Sequence, residues 1–156
     1  MIGILALQGN YNAHTKILNG LKIPVKEIRY PKQLTDIDGL IIPGGESTTI
    51  NDLMKRVGFH DKIKEFALKK PILGTCAGLI MMSSRIKNDN QISTLGILDI
   101  EVSRNAYGRQ ADSFIGNVKV DINDQAFDIK APFIRAPKII SIGNSIDVIA
   151  KCNSDI

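Results

Sequence analysis

Residues 71–79, Pro-Ile-Leu-Gly-Thr-Cys-Ala-Gly-Leu, decide the fold that this sequence predicts. The apolar run that ends at Gly74 is typical of a short buried strand, and residues 77–86 have the spacing of a helix. Between them, residues 74–78 have the G-x-S-x-G spacing of a nucleophile elbow, with Cys76 in place of serine. Small residues on both sides of Cys76 permit the sharp turn that exposes a nucleophile at the edge of a sheet. The stretch therefore predicts a strand, a tight turn and a helix with Cys76 at the turn.

The residues on either side of this stretch extend the alternation of strand and helix. In the first half, short apolar runs alternate with helical patterns, which predicts a mostly parallel sheet with helices on both faces. In the second half the apolar runs are joined by loops, which predicts an antiparallel or mixed extension of that sheet. We find no repeat and no linker, so we expect one three-layer α/β domain with a flavodoxin-like core over residues 1–156. The predicted strands are residues 2–7, 25–30, 39–43, 71–74, 95–102, 115–122, 133–134, 139–142 and 148–151.

Composition excludes several classes of protein. The 156 residues carry 20 Lys+Arg against 16 Asp+Glu, a net charge of +4, but the cations are dispersed and aromatic residues make up only 5%. A nucleic-acid binder more often clusters its cations or places them among stacking rings. The apolar runs fall short of the roughly 20 residues that span a bilayer. Two cysteines far apart in the sequence fit a reducing cytosol. We therefore expect a cytoplasmic protein with no nucleic-acid or membrane partner, no metal and no cofactor.

Cys76 is the candidate nucleophile because of its setting. A helix that begins just after it favours the thiolate, which is the form that attacks. The alternative is a buried cysteine that packs as a small apolar residue, and this is the interpretation for Cys152, which has no such setting.

The second informative loop is Pro43-Gly-Gly-Glu-Ser47. Paired glycines let backbone N–H groups turn toward a bound group, and one of them together with the Ala77 amide would form an oxyanion hole. A phosphate cradle and a plain turn are the alternatives. Glu46 argues against phosphate, because a carboxylate would repel it.

Five strings of this sequence, taken together, resemble a known family. They are Leu7-Gln-Gly9, Leu40-Ile-Ile-Pro-Gly-Gly-Glu-Ser-Thr-Thr49, Gly74-Thr-Cys-Ala-Gly-Leu79, Arg104-Asn-Ala-Tyr-Gly-Arg-Gln110 with Asp112-Ser-Phe114, and Phe133-Ile-Arg-Ala-Pro137. In this order they are similar to the glutaminase subunits of two-component pyridoxal 5′-phosphate synthases, which are class I, triad-type glutamine amidotransferases. The elbow alone indicates only the amidotransferase class. The two later strings are specific to this subunit, and the match spans essentially the whole chain.

The resemblance implies a role for each matching residue. Cys76 would attack the side-chain amide of L-glutamine and form a thioester, with the amides of Gly45 and Ala77 as the oxyanion hole. The ammonia would pass to a synthase subunit in a hetero-oligomer that makes vitamin B6. Guanidinium groups suit the substrate α-carboxylate, and a surface ion pair is the alternative for each arginine. The family match favours the substrate role for Arg104 and Arg135. The implied substrate-binding residues are Gly45, Glu46, Ser47, Arg104, Ile134 and Arg135, and Arg109 is undecided between support of the site and contact with the partner.

The family pattern continues into a strand and a His-Pro-Glu string, which supplies the general base and the carboxylate that orients it. Residues 1–156 contain two histidines, His14 and His60, and neither fits that pattern. We expect His14 to be a partly buried residue of the first helix and His60 a cap or surface residue. These 156 residues are thus expected to form a domain that is incomplete at its C-terminal end relative to the family. We expect them to hydrolyse glutamine poorly, because the base and its orienter are not among them. A shortened polypeptide, a chain that kept its fold without its activity, and a base supplied from elsewhere all fit this pattern.

Three functions therefore stand at the sequence level. The first is a glutaminase that feeds a synthase partner. The second is an amidotransferase-like scaffold that binds the partner without turnover. The third is a flavodoxin-like nucleotide or phosphate binder that uses the glycine loop.

Overall fold

The computed structural model describes residues 1–104, 113–134 and 136–156. Its first half is a parallel four-stranded sheet with the strand order β2-β1-β3-β4. This is the order of the first four strands of a flavodoxin-like sheet. The strands are β1 (Ile2–Leu5), β2 (Val25–Ile28), β3 (Gly39–Ile42) and β4 (Ile72–Gly74).

Helices connect these strands on two sides of the sheet. The connection from β1 to β2 runs in one direction across the sheet, and those from β2 to β3 and from β3 to β4 run in the other. Because such crossovers are right-handed, α1 lies on one face and the remaining connections lie on the opposite face. The predicted mostly parallel α/β class is confirmed. The helices are α1 (Tyr11–Gly20), a 3₁₀ helix (Pro31–Asp36), α2 (Ser47–Val57), α3 (Phe59–Ala67) and α4 (Ala77–Met82).

The core lies between this sheet and the helices α2 and α3. All four residues of β3 are buried, as expected for a central parallel strand covered on both faces. Ile50 and Met54 of α2 stand one turn apart and are at most 1% exposed, and Phe59 and Ile63 repeat this spacing in α3. Each such side chain contributes about 1.5–3 kcal/mol through its removal from water. This packing holds the carboxyl ends of β3 and β4 at fixed positions.

One predicted helix is wrong in its second half. Helix α4 ends at Met82, and Ser83–Ile86 form strand β5, which pairs in parallel with β6 (Leu98–Ser103). The Ser83 hydroxyl donates to the carbonyl of Ile80 at 2.8 Å and occupies an acceptor at the helix end. Pairing with β6, which is distant in sequence, therefore overrides the helical spacing of residues 77–86.

The second half also differs from the predicted extension of the parallel sheet. Its described strands form two separate three-stranded sheets, β5-β6-β9 and β10-β7-β8. Strand β8 is nine residues long where only residues 133–134 were predicted. The turn before it uses Asn123 and Asp124, both at positive φ (53° and 61°), as a two-residue hairpin turn requires. The remaining strands are β7 (Phe114–Ile122), β8 (Gln125–Phe133), β9 (Lys138–Ile142) and β10 (Ala150–Lys151).

Acid is expected to destabilise the fold through its two histidines. Burial lowers the pKa of His14, and burial followed by the charges of Lys55 and Lys64 lowers that of His60. The His60 Nε2 and the Asn51 Oδ1 are buried and have no hydrogen-bond partner among the residues that the structure describes. Both rings bind protons more readily in the unfolded chain, so their contribution to stability is complete above pH 6.5 and is lost as the pH falls below it.

Urea unfolding at pH 7.5 and pH 5.5 measures this loss. The change His60→Gln keeps a polar side chain without the titration, so we expect it to reduce the difference in unfolding free energy between the two pH values. An equal difference in wild type and variant would contradict this role for His60.

Candidate active site

Cys76 lies in a strained turn between β4 and α4. It stands just before the first residue of α4 and has φ 50° and ψ −107°, a conformation that residues other than glycine rarely adopt. Such strain costs about 1–3 kcal/mol and persists only where the surrounding structure holds it. The residue is exposed, whereas Cys152 is 8% exposed. The strand, turn and helix predicted around Cys76 are thus present, and the turn presents this side chain to solvent.

Two glycines permit this turn. A Cβ atom at Gly78 would overlap the carbonyl oxygen of Ile42 in β3 and lie 2.8 Å from its carbonyl carbon. A Cβ atom at Gly74 would lie 2.6 Å from the Met82 sulfur and 2.7 Å from the carbonyl carbon of Gly78. The backbones of β3, β4 and α4 therefore approach each other too closely for any side chain at these two positions. This is the structural reason for glycine on both sides of the elbow.

The loop after β3 lies directly against Cys76. A Cβ atom built on Gly44 would be 3.3 Å from the Cys76 Cβ, which is a tight contact distance. The Gly44 carbonyl accepts a hydrogen bond from the Asn10 N–H at 2.9 Å. The Gly44 C=O and the Gly45 N–H belong to one trans peptide group and point in opposite directions. The Gly45 N–H is therefore directed away from Asn10. The structure therefore brings together the two loops that the sequence analysis singled out.

Both candidate oxyanion donors belong to these loops. Ala77 is the first residue of α4, so its N–H has no acceptor within its own helix. Gly45 and Glu46 are exposed, and Ser47 is buried in the first turn of α2. These residues and Cys76 form one connected group at the carboxyl ends of β3 and β4.

Gln8 is a member of this group that the sequence analysis did not assign. Its Oε1 accepts a hydrogen bond from the Glu46 N–H at 3.0 Å and so holds the loop after β3 in place. Gln8 follows β1, whose carboxyl end lies beside that of β3. Gln8 belongs to the Leu7-Gln-Gly9 string that contributes to the family resemblance, but that string by itself indicates no role for the side chain.

Arg104 and Ile134 lie in the second half of the chain, after β6 and β8. Arg104 follows β6, and its guanidinium pairs with the Asp89 carboxylate, whose pKa is held below its ordinary value first by the Gln91 N–H and then by this arginine. Ile134 is 55% exposed and follows β8. Ser103 of β6 pairs with Lys138, the first residue of β9. Arg104 therefore lies at the end of the β6–β9 pair at which β9 begins. Arg109 and Arg135 lie outside the described residues.

The two histidines contact different segments of the chain. His14 is half-buried as expected, and its Nε2 lies 3.2 Å from the Oγ1 of Thr75, the residue before Cys76. His60 is the second residue of α3 and half-buried, so it is not the cap or surface residue that was expected. Its ring lies against the backbone of Asn51 in α2, about one helical turn from Ser47.

No metal-binding group and no membrane-spanning helix is found where the structure describes the chain. Within residues 1–104, 113–134 and 136–156, no three His, Cys, Asp or Glu side chains are grouped as metal ligands would be. Over the same residues, every helix is too short or too polar to cross a membrane.

The fold and the elbow define a class, the α/β glutamine amidotransferase fold with a cysteine at the strand–helix turn. A crystal structure described as a glutamine amidotransferase superposes with a TM-score of 0.89 and 36% identity, over 99% of this chain and 81% of that one. The PurLQS structure from Thermotoga maritima shares the fold, with a TM-score of 0.69, 16% identity and coverage of 99% of this chain and 74% of that chain.

Sequence comparison places the chain more narrowly. The profile of the SNO glutamine amidotransferase family matches residues 4–156, and the chain belongs to this family. The pyridoxal 5′-phosphate synthase subunit PdxT of Thermosipho africanus is 44% identical over 151 residues, covering 96% of this chain and 78% of that protein. The PdxT of Oenococcus oeni is 44% identical over 155 residues, covering 99% and 80%.

Proposed function

We propose that this chain hydrolyses L-glutamine to glutamate and ammonia through a thioester on Cys76, and that the ammonia serves a pyridoxal 5′-phosphate synthase subunit. The observation that carries the proposal is the strained, exposed Cys76 in contact with the Gly44 loop. A cysteine held in such a conformation at a strand–helix turn suits nucleophilic attack. The identity of 43–44% to PdxT proteins supports the choice of glutamine and of the synthase.

The chemistry requires one water molecule for each glutamine. The Cys76 sulfur attacks the amide carbon, and the negative charge that develops on the amide oxygen is stabilised by the N–H groups of Gly45 and Ala77. Collapse of this intermediate releases ammonia and leaves a thioester, and water then releases glutamate and restores the thiol. The carboxylate of Glu46 suits the substrate ammonium group, and the guanidinium of Arg104 or Arg135 suits its carboxylate. Ser47 and Ile134 complete the proposed substrate contacts.

The proposed partner is the synthase subunit, in a cytoplasmic hetero-oligomer in which residues 1–156 act as one domain. Two partners are thus proposed, L-glutamine and the synthase, with no nucleic acid or membrane. The phosphate-binding alternative is weakened because the Glu46 N–H, one of the backbone donors at the start of α2, already donates to Gln8.

Covalent labelling tests the role of Cys76. The glutamine mimic 6-diazo-5-oxo-L-norleucine should modify Cys76 well before Cys152, because the first thiol is exposed in the elbow and the second is buried. Peptide mass spectrometry locates the adduct, and excess L-glutamine should protect Cys76. Labelling of Cys152 first, or no protection by glutamine, would show that Cys76 is not the glutamine-binding nucleophile.

Glutamate release in the presence of the synthase subunit separates an enzyme from a binding scaffold. A scaffold would bind the synthase and still release no glutamate. The Cys76→Ala variant is the control for both measurements.

A further inference from the structure

Helix α1 is tied to the elbow by one side chain, His14. Its Nε2 lies 3.2 Å from the Thr75 Oγ1, across 61 residues of sequence. Burial lowers the pKa of His14, so the ring is neutral at pH 7 and offers one donor and one acceptor nitrogen. A neutral ring at this distance forms a hydrogen bond with the threonine hydroxyl in either tautomer.

Thr75 is otherwise held through its backbone. Its N–H donates to the Ile42 carbonyl at 3.1 Å, and its own carbonyl accepts from the Gly78 N–H at 2.8 Å. A Cβ atom on Gly44 would lie 4.0 Å from the Thr75 Oγ1, so the same side chain borders the oxyanion loop. The hydroxyl of Thr75 therefore lies between α1, the Gly44 loop and the strained residue that follows it.

Two hydrogen bonds join the start of α1 to the site. None of the ten residues of α1 is buried. Asn10, just before the helix, donates to the Gly44 carbonyl, and His14, one turn later, contacts Thr75.

We propose that His14 is a positioning residue of the nucleophile elbow, which holds Cys76 in its strained conformation through the side chain of Thr75. The proposal rests on the proposed nucleophilic role of Cys76. His14 acts through Thr75 and is not assigned a step in proton transfer.

The test is the rate at which Cys76 is alkylated in folded protein. His14→Leu and Thr75→Val each remove one end of the hydrogen bond, and each should slow alkylation about tenfold, the effect of losing one such bond. His14→Gln places an amide near the position of Nε2, and Thr75→Ser keeps the hydroxyl, so both should restore a rate close to that of wild type. Asn12→Ala, an exposed change in the same helix, is the matched control and should have no effect.

The double variant His14→Leu/Thr75→Val distinguishes loss of one shared contact from two independent disturbances of the elbow. If the two residues act through one contact, the double variant should be no slower than either single variant. Additive losses, an unchanged rate in His14→Leu, or a loss in His14→Gln as large as in His14→Leu would each overturn the proposal. Thermal unfolding identifies any variant that does not fold. If a His14 variant does not fold, the alkylation rates of Thr75→Val and Thr75→Ser decide the test.

Two reagents keep this test separate from that of the proposed function. Iodoacetamide reports on the position of the thiol without any recognition of glutamine, and 6-diazo-5-oxo-L-norleucine requires recognition. Failure of the mimic to label wild-type Cys76 would count against the glutaminase function, and the iodoacetamide rates would still support or overturn the role of His14.

Discussion

A polypeptide of residues 1–156 is expected to release glutamate from glutamine about 10⁴-fold more slowly than the same polypeptide extended by a segment that carries the family's His-Pro-Glu. A cysteine amidase needs a base that first gives a proton to the departing ammonia and then takes one from the attacking water. Within residues 1–156, the ring of His14 is bound to Thr75, and the ring of His60 lies against the backbone of Asn51 in α2. Neither of these two contacts is with the Cys76 thiol.

The measurement is glutamate release at saturating glutamine, with the synthase subunit present in every reaction. A His→Asn change in the added segment should return the rate to that of residues 1–156, and Cys76→Ala should abolish the remainder. If residues 1–156 already turn over rapidly, the prediction is wrong and a base must be sought within the chain. Loss of that activity in His14→Gln would then identify it.

The Gly78→Ala change should destabilise the fold by about 3 kcal/mol or more, the upper range for overpacked sites. The added methyl would overlap a backbone carbonyl of β3, and backbone cannot move aside as a flexible side chain does. To admit it, α4 must shift away from the sheet and take Cys76 with it. We therefore expect both a lower urea midpoint and slower alkylation of Cys76.

Gly20→Ala is the matched control for this prediction. No heavy atom lies within 4 Å of a Cβ built on Gly20, which ends α1. The same chemical change there should be neutral or slightly stabilising, because alanine favours helix more than glycine. Equal effects at the two positions would show that the close approach of Gly78 to β3 does not limit stability.

The parallel half of the fold could be predicted to within one or two residues at most boundaries. Strand β3 was expected over residues 39–43 and spans Gly39–Ile42, because a strand buried on both faces appears as a continuous apolar run. The elbow was likewise predictable, since a short run of small residues around Cys76 specifies a local turn.

The antiparallel half could not be predicted as well. All nine residues of β8 are exposed or only partly buried, so no buried face marks the strand. Residues 127–133 do alternate apolar and other side chains, a strand signal that went unused for β8. Asn123-Asp124 was the remaining signal, and it indicates a hairpin only once the strand after it is recognised. Strand β5 was mistaken for helix because Met82 and Ile86 continue a helical spacing that pairing with β6 overrides.

The contacts of Gln8 and His14 were missed for a different reason. Each joins the segment after β1 to a segment after β3 or β4, which are 38 and 61 residues away in sequence. Only the order of strands in the sheet makes these segments neighbours, and side-chain pattern does not reveal that order.

At residue 76 the positive φ makes any side chain a source of strain, and the proposed reaction requires the side chain of cysteine. Glycine adopts this conformation without strain, so a search for heat-resistant variants of this chain would favour glycine at residue 76. The same search would remove the thiol. Selection of variants by melting temperature alone would thus replace the proposed nucleophile. Residue 76 has to be kept as cysteine while other positions are changed to raise stability.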